Sequence, residues 1–199
     1  TGSLNSGTAF AAGNSPTVGT PGDLNGDGVL DLVTTNYVWG TASVLLGRGD
    51  GSFYAGAEFS IGTAPESADL GDLDGDGVLD LVTADSGSDT VSVLLGNGDG
   101  SFKARSAFAT GSSPESVSLG DLNADGVADL VTADQGSNTA SVMLGNGDGS
   151  FRARSAFTTG SSPTSVILGD LNGDGVLDMV TADLGANEAS VFLGVGDGS

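Results

Sequence analysis

Polar and apolar residues alternate along this chain in runs too short for a helix, and Gly or Asp interrupts every candidate for a 3.6-residue period. The stretch 116–163 shows the pattern plainly. Ser116-Val-Ser-Leu-Gly120 alternates and predicts a first strand, Leu130–Ala133 a short apolar second, and Thr139–Leu144 a third. Phe151–Thr159, with Phe151, Ala153 and Phe157 at odd positions, predicts a fourth. An acidic loop (Asp121–Asp129), a polar turn (Asp134–Asn138) and a glycine-rich hairpin (Gly145–Ser150) connect them, and Gly160–Pro163 turns into the next unit.

The unit recurs. Its acidic loop begins at Asp23, Asp72, Asp121 and Asp170, 49 residues apart each time. A fixed period of about 20–50 residues marks a repeat architecture, and four short antiparallel strands repeated radially describe a propeller blade. A β-helix has shorter, parallel units, and a sandwich does not need strict repetition. The prediction is therefore an all-β fold: a β-propeller of four-stranded antiparallel blades, four 49-residue repeats, with residues 1–199 as one domain.

The two ends are complementary. Phe10-Ala-Ala-Gly13-Asn-Ser-Pro16 matches Phe108-Ala-Thr-Gly111-Ser-Ser-Pro114, so the N-terminus supplies a fourth strand without its first three. The C-terminus stops at Gly196-Asp-Gly-Ser199, and Thr1 aligns with Asp197. The N-terminal strand is expected to complete the last blade and close the ring, which protects the edges. Closure within one chain gives four blades, and closure between two chains gives an eight-bladed homodimer; the sequence permits both.

Composition narrows the chemistry. Gly is abundant, at 35 residues, but recurs at fixed repeat positions, which fits ordered turns rather than a low-complexity chain. The net charge of −21 makes nucleic acid and anionic membrane surfaces poor partners. Without Cys or His, disulfides, thiolate chemistry, zinc sites and imidazole catalysis are excluded. No stretch approaches the roughly 20 apolar residues of a membrane span. The chain has no initiator Met or signal peptide and reads as a mature form or an excised domain.

Half of the acids, 13 of 26, lie in the four loops. Loop positions 1, 3, 5 and 9 are Asp23, Asn25, Asp27 and Asp31; Asp72, Asp74, Asp76 and Asp80; Asp121, Asn123, Asp125 and Asp129; and Asp170, Asn172, Asp174 and Asp178. Position 6 is always Gly and position 7 always Val: Val29, Val78, Val127 and Val176. Oxygen side chains at alternate positions around a Gly suit Ca²⁺, which takes six to eight oxygens at about 2.3–2.6 Å. The Gly allows positive φ, and the Val backbone carbonyl can supply a further ligand. Asp/Asn turns held by side-chain-to-backbone hydrogen bonds are the alternative, but they do not account for acids converging in every copy. One Ca²⁺ per repeat, four per chain, is expected. An EF-hand is excluded, because strands flank the loop and no Glu stands at position 12.

At these residues the chain resembles the FG-GAP/VCBS repeat family, including the calcium-binding blades of integrin α-subunit propellers. The pattern D-x-[DN]-x-D-G-x-x-D fits all four loops, Phe59-Ser-Ile-Gly62-Thr-Ala-Pro65 is similar to the segment that names the family, and Leu94–Phe102 looks like the bacterial VCBS form. The resemblance covers essentially the whole chain. It implies a propeller with one Ca²⁺ per blade, in a secreted or cell-surface protein, here bacterial, that binds other molecules. Ala124 at position 4, where the other loops have Gly, implies slight strain in the third site.

Other features carry less. Arg48-Gly49-Asp50 differs from the matching turns by one residue and is read as a turn rather than a cell-adhesion signal. Tyr37-Val38-Trp39 replaces Ser-Gly-Ser; an aromatic pair there stacks on a sugar, anchors a partner or caps a join between blades. Lys103, Arg105, Arg152 and Arg154 read as solvated charges that discourage edge pairing. Glu66, Glu115, Asp134 and Asp183 read as scattered surface acids, so no catalytic set is assigned and no enzyme is expected. The expected function is a calcium-stabilised extracellular binding module, monomeric or a ring-closing homodimer, with a glycan or protein as ligand. A lectin-like propeller is the alternative, and a polysaccharide-active enzyme ranks below both.

Overall fold

Short β-branched runs separated by Gly and Asp turns give strands of four to seven residues and no helix among the described residues, 7–198 of a computed structural model. Three repeats form complete sheets. The first contains β1 (Pro16–Gly22), β2 (Asp31–Asn36), β3 (Thr41–Leu45) and β4 (Ala57–Ser60). The second contains β5 (Pro65–Gly71), β6 (Asp80–Asp85), β7 (Thr90–Leu94) and β8 (Ser106–Ala109). The third contains β9 (Pro114–Gly120), β10 (Asp129–Asp134), β11 (Thr139–Met143) and β12 (Ser155–Thr158). The fourth has only β13 (Pro163–Gly169), β14 (Asp178–Asp183) and β15 (Glu188–Phe192). Each sheet is an antiparallel meander in sequence order, as a blade requires.

The blades pack through the faces of their middle strands. One apolar cluster joins the first and second blades (Val33, Val44, Leu81, Leu94, Phe102), and equivalent clusters join the second to the third and the third to the fourth. A phenylalanine seals each seam edge-on: Phe59 against Phe102 at 5.2 Å, and Phe108 against Phe151 at 5.4 Å. Each fully buried Leu or Val in these clusters stabilises the fold by about 1.5–3 kcal/mol. First strands of successive blades also touch: Thr20 Oγ1 donates to Ala68 O at 3.1 Å, and Leu119 N–H to Asp69 Oδ2 at 3.0 Å.

Two expectations need correction. The predicted fourth strand Phe151–Thr159 is shorter, because the register slips by one residue between the Gly145–Phe151 bridge and the Ser155–Val142 pair. That bulge turns the Phe151 ring into the seam and confines regular pairing to Ser155–Thr158. Second, the ring is open among the described residues: the N-terminal segment from residue 7 onward adds no strand to the three-stranded fourth blade. Phe10 still packs on Phe53 at 5.2 Å, as Phe59 packs on Phe102, and Gly13 N–H donates to Ser43 Oγ of β3, as Gly62 N–H does to Ser92 Oγ. The seam contact is kept and the strand pairing is not, so β15 is an edge with Val191 exposed. The alignment of Thr1 with Asp197 involves a residue outside the described ones.

Candidate metal centre

Each acidic loop joins the first strand of a blade to the second. Its curl follows from its own side chains. In the first loop Asp23 Oδ1 accepts Gly26 N–H at 2.8 Å, and Oδ2 accepts Gly28 N–H at 2.8 Å. Asp27 Oδ1 accepts Val29 N–H at 2.8 Å. The chain can reverse because position 6 is left-handed in every loop: φ is 81° at Gly28, 82° at Gly77, 85° at Gly126 and 87° at Gly175. Ala124 adopts φ 57° where Gly26, Gly75 and Gly173 stand, so the strain expected in the third loop is present.

Position 9 does something the sequence did not suggest. Asp31, Asp80, Asp129 and Asp178 are all buried. Asp80 Oδ2 accepts Leu73 N–H at 2.8 Å, and its Oδ1 accepts Gly96 N–H at 2.7 Å, so one carboxylate pins the loop to the hairpin after the third strand. Asp31, Asp129 and Asp178 make the same pair of bonds. Burial raises the pKa of Asp80 above the ordinary value; the two backbone N–H groups pull it down, and the charges of Asp74 and Asp76 push it up again. Asp129 is raised in the same way, with Asp125 and Asp121 as the neighbouring charges. The Val at position 7 packs its side chain on that hairpin: a Cβ at Gly96 would stand 2.7 Å from Val78 Cγ1 and 2.5 Å from Leu79 O.

Carboxylates converge in the second loop. One oxygen from each of Asp72, Asp74 and Asp80 lies within 4.8 Å of the other two. Two oxygens on one Ca²⁺, each at about 2.4 Å, stand no farther apart than that, so the donor set fits a hard cation. Asp76 stands outside this trio. Lys103 Nζ lies 3.7 Å from Asp74 Oδ2. In the other loops the Asn at position 3 engages position 5: Asn25, Asn123 and Asn172 donate from Nδ2 to Asp27, Asp125 and Asp174 at 3.0, 2.9 and 2.8 Å. Position 3 being Asn there, these loops have no carboxylate to match Asp74.

The acids and cations read as surface features include buried ones. Asp85, Asp134 and Asp183 lie inside the blades, each accepting from a Thr and a Ser: Thr83 and Ser92, Thr132 and Ser141, Thr181 and Ser190. Arg105 and Arg154 reach Asp85 and Asp134 at 3.7 and 3.6 Å, so they cap buried acids as well as face solvent. The signal in the sequence was present: the same Thr-x-Asp ends the second strand of three repeats.

Antiparallel four-stranded blades joined seam to seam, each with an Asp loop between its first two strands, define a propeller-type repeat protein. The model of the FG-GAP-like repeat matches residues 23–83, 72–132 and 121–181, and the chain belongs to that family. No curated protein matches it in sequence. Solved structures share the fold. A lectin from Agrocybe aegerita, described as recognising non-reducing terminal N-acetylglucosamine, is 21% identical with a TM-score of 0.61 over 93% of this chain and 50% of its own. BBS1N in complex with ARL6DN gives 15% identity and 0.61 over 92% of this chain and 60% of that one. The periplasmic gluconolactonase PpgL of Pseudomonas aeruginosa gives 16% and 0.55 over 75% and 41%. The chain therefore spans about half the length of these structures.

Proposed function

We propose that this protein is an extracellular binding module whose blades are held by Ca²⁺, one ion per acidic loop. The observation that carries the reading is the approach of Asp72, Asp74 and Asp80 to within 4.8 Å around a buried carboxylate. Three acids so close disfavour joint ionisation, and a divalent cation removes that cost. Position 1 and position 9 would hold the ion in every loop, with position 3 and the position 5 carboxylate beside them and the Val29, Val78, Val127 and Val176 carbonyls as further oxygen ligands. The ion would supply architecture, fixing the loop that joins two strands. An extracellular setting accords with millimolar calcium, at which weak loop sites are filled. Isothermal titration with Ca²⁺, read beside melting with and without chelator, tests the reading. It predicts up to four sites and a lower melting temperature in chelator; no heat and no shift would sink it.

A lectin-like use is the second reading. The fold shared with the Agrocybe aegerita lectin supports it, and so does the aromatic crevice described next.

A further inference from the structure

The four repeats are close copies, so the places where one departs from the others are informative. The first repeat departs four times in one crevice. Trp39 stands where the next two repeats have Ser88 and Ser137, Tyr54 where they have Lys103 and Arg152, Gly56 where they have Arg105 and Arg154, and Glu58 where they have Ala107 and Ala156. All four residues line one crevice of about 630 Å³ between the first blade and the segment 10–14. That volume lies in the range of about 300–1,000 Å³ usual for small-ligand sites. The equivalent crevice of the third blade is about 400 Å³ and is lined by Arg152 and Arg154.

The change of chemistry is consistent. Two cationic side chains have become an aromatic ring and a Gly, and a carboxylate has been added. Inside the blade the matching acid has become Asn36, whose Nδ2 donates to Ser43 Oγ at 2.9 Å, so losing the Arg leaves no buried charge behind. The crevice opened by Gly56 is thus compatible with a stable blade. Trp39 and Tyr54 are 57% and 55% exposed, large aromatic faces left open to solvent. Arg48 lies 4.2 Å over the Tyr54 ring, so that ring already has a cation, while no contact of this kind covers Trp39 among the described residues. Asn14 and Glu58 add an amide and a carboxylate to the same lining.

We propose that this crevice binds a neutral pyranose sugar, its ring stacked on Trp39 and its hydroxyls bonded by Glu58 and Asn14. A sugar offers an apolar C–H face and several hydroxyls, which matches one open aromatic face flanked by polar groups. Glu58 and the net charge of −21 disfavour acidic sugars. The inference rests on the binding-module reading but needs no calcium at the crevice.

Trp39 is the only Trp, so its fluorescence reports on this crevice alone. The full chain in calcium buffer is titrated with methyl glucoside, methyl mannoside, methyl galactoside and N-acetylglucosamine, with saturation-transfer NMR alongside. At least one is expected to give a saturable change. Trp39→Ser, which copies the next two repeats, should weaken binding by about tenfold. Gly56→Arg with Asn36→Asp, which restores the ion pair and fills the crevice, should abolish binding with the circular dichroism unchanged. If that double variant does not fold, Glu58→Ala, also a repeat copy, takes its place and should weaken binding. No response to any sugar, binding of choline instead, or wild-type affinity in these variants would overturn the proposal. The calcium response of the same variants separates the two readings, since sugar binding without any calcium effect removes the metal and leaves the crevice.

Discussion

Arg154 Nη2 lies 3.6 Å from Oδ2 of Asp134, a carboxylate with no exposed surface at all. Arg105 and Asp85 repeat the pair at 3.7 Å. The first blade has neither member, since Asn36 and Gly56 stand in their places. In the first blade acid and base are replaced together, whereas the fourth keeps the buried Asp183, which Thr181 and Ser190 hold with no ion pair among the described residues. Arg105→Gly is therefore expected to destabilise by about 1–3 kcal/mol, below the full cost of stranding a buried ion because Asp85 keeps its Ser92 and Thr83 hydrogen bonds. Adding Asp85→Asn should recover most of the loss, and urea unfolding of the two singles and the double closes the cycle.

The same pair sets a pH dependence. Burial holds Asp85 and Asp134 above the ordinary carboxylate value of 3.8, while Ser, Thr and Arg partners pull them down. A raised acid lets the folded state bind more protons than the unfolded one. Its contribution to stability is full below 3.8 and is lost as pH rises through the folded value. Removing Arg105 raises that value further, so the cost of Arg105→Gly should be small near pH 4 and complete at neutral pH. Unfolding series at both pH values check this; a cost independent of pH would refute the pairing.

Much of this was legible because repetition averages out local ambiguity. The 49-residue period located the loops, and the second and third strands fall within one residue of the reading, as at Thr139–Met143. What failed depended on contacts distant in sequence. The bulge before Ser155 turns a Phe ring into the seam with the preceding blade, and the ring stays open although Phe10 makes the contact with Phe53 that Phe59, a paired strand residue, makes with Phe102. Loop positions 1 and 9 look alike as letters, yet Asp72 is exposed and Asp80 is buried beneath a hairpin 16 residues away. Arg105 looked like an edge charge because its target lies 20 residues earlier, across two strands.

Two glycines of the second repeat should respond differently to Ala. At Gly96 a Cβ would stand 2.5 Å from the backbone oxygen of Leu79, which cannot move without breaking the pin at Asp80. Gly96→Ala should cost about 2–4 kcal/mol through overpacking. Gly77 has open space around it but φ of 82°, so Gly77→Ala should cost only about 1–2 kcal/mol, the penalty of a left-handed residue. Chemical denaturation in chelator ranks them; the reverse order would contradict the hairpin contact.

The third loop offers the opposite change. Ala124 carries φ 57° where three sister loops have Gly. Ala124→Gly should stabilise the protein by about 1 kcal/mol, since the relieved strain exceeds the added chain entropy. A thermal shift of a few degrees upward would show it, and a downward shift would mean that the strain is not felt.

The four loops should not bind calcium equally. In the second, Asp74 brings a carboxylate where the others have an Asn that donates to the acid at position 5. An Asn offers the ion a neutral oxygen, and a carboxylate offers a charged one that a divalent cation attracts more strongly. The second loop is therefore expected to bind most tightly, and Asp74→Asn should weaken that site by about tenfold, towards the level of its sisters. Lys103, at 3.7 Å and 48% exposed, competes for Asp74. Exposed pairs are worth about 0.2–1 kcal/mol, so Lys103→Ala should tighten the second site by no more than about fivefold. At a free calcium concentration about 100 times its Kd, that site would add about 2.7 kcal/mol of stability, and chelator would remove it. Titration calorimetry of the wild type and both variants resolves the first binding event. If the tightest event survives Asp74→Asn unchanged, the second loop is not the leading site.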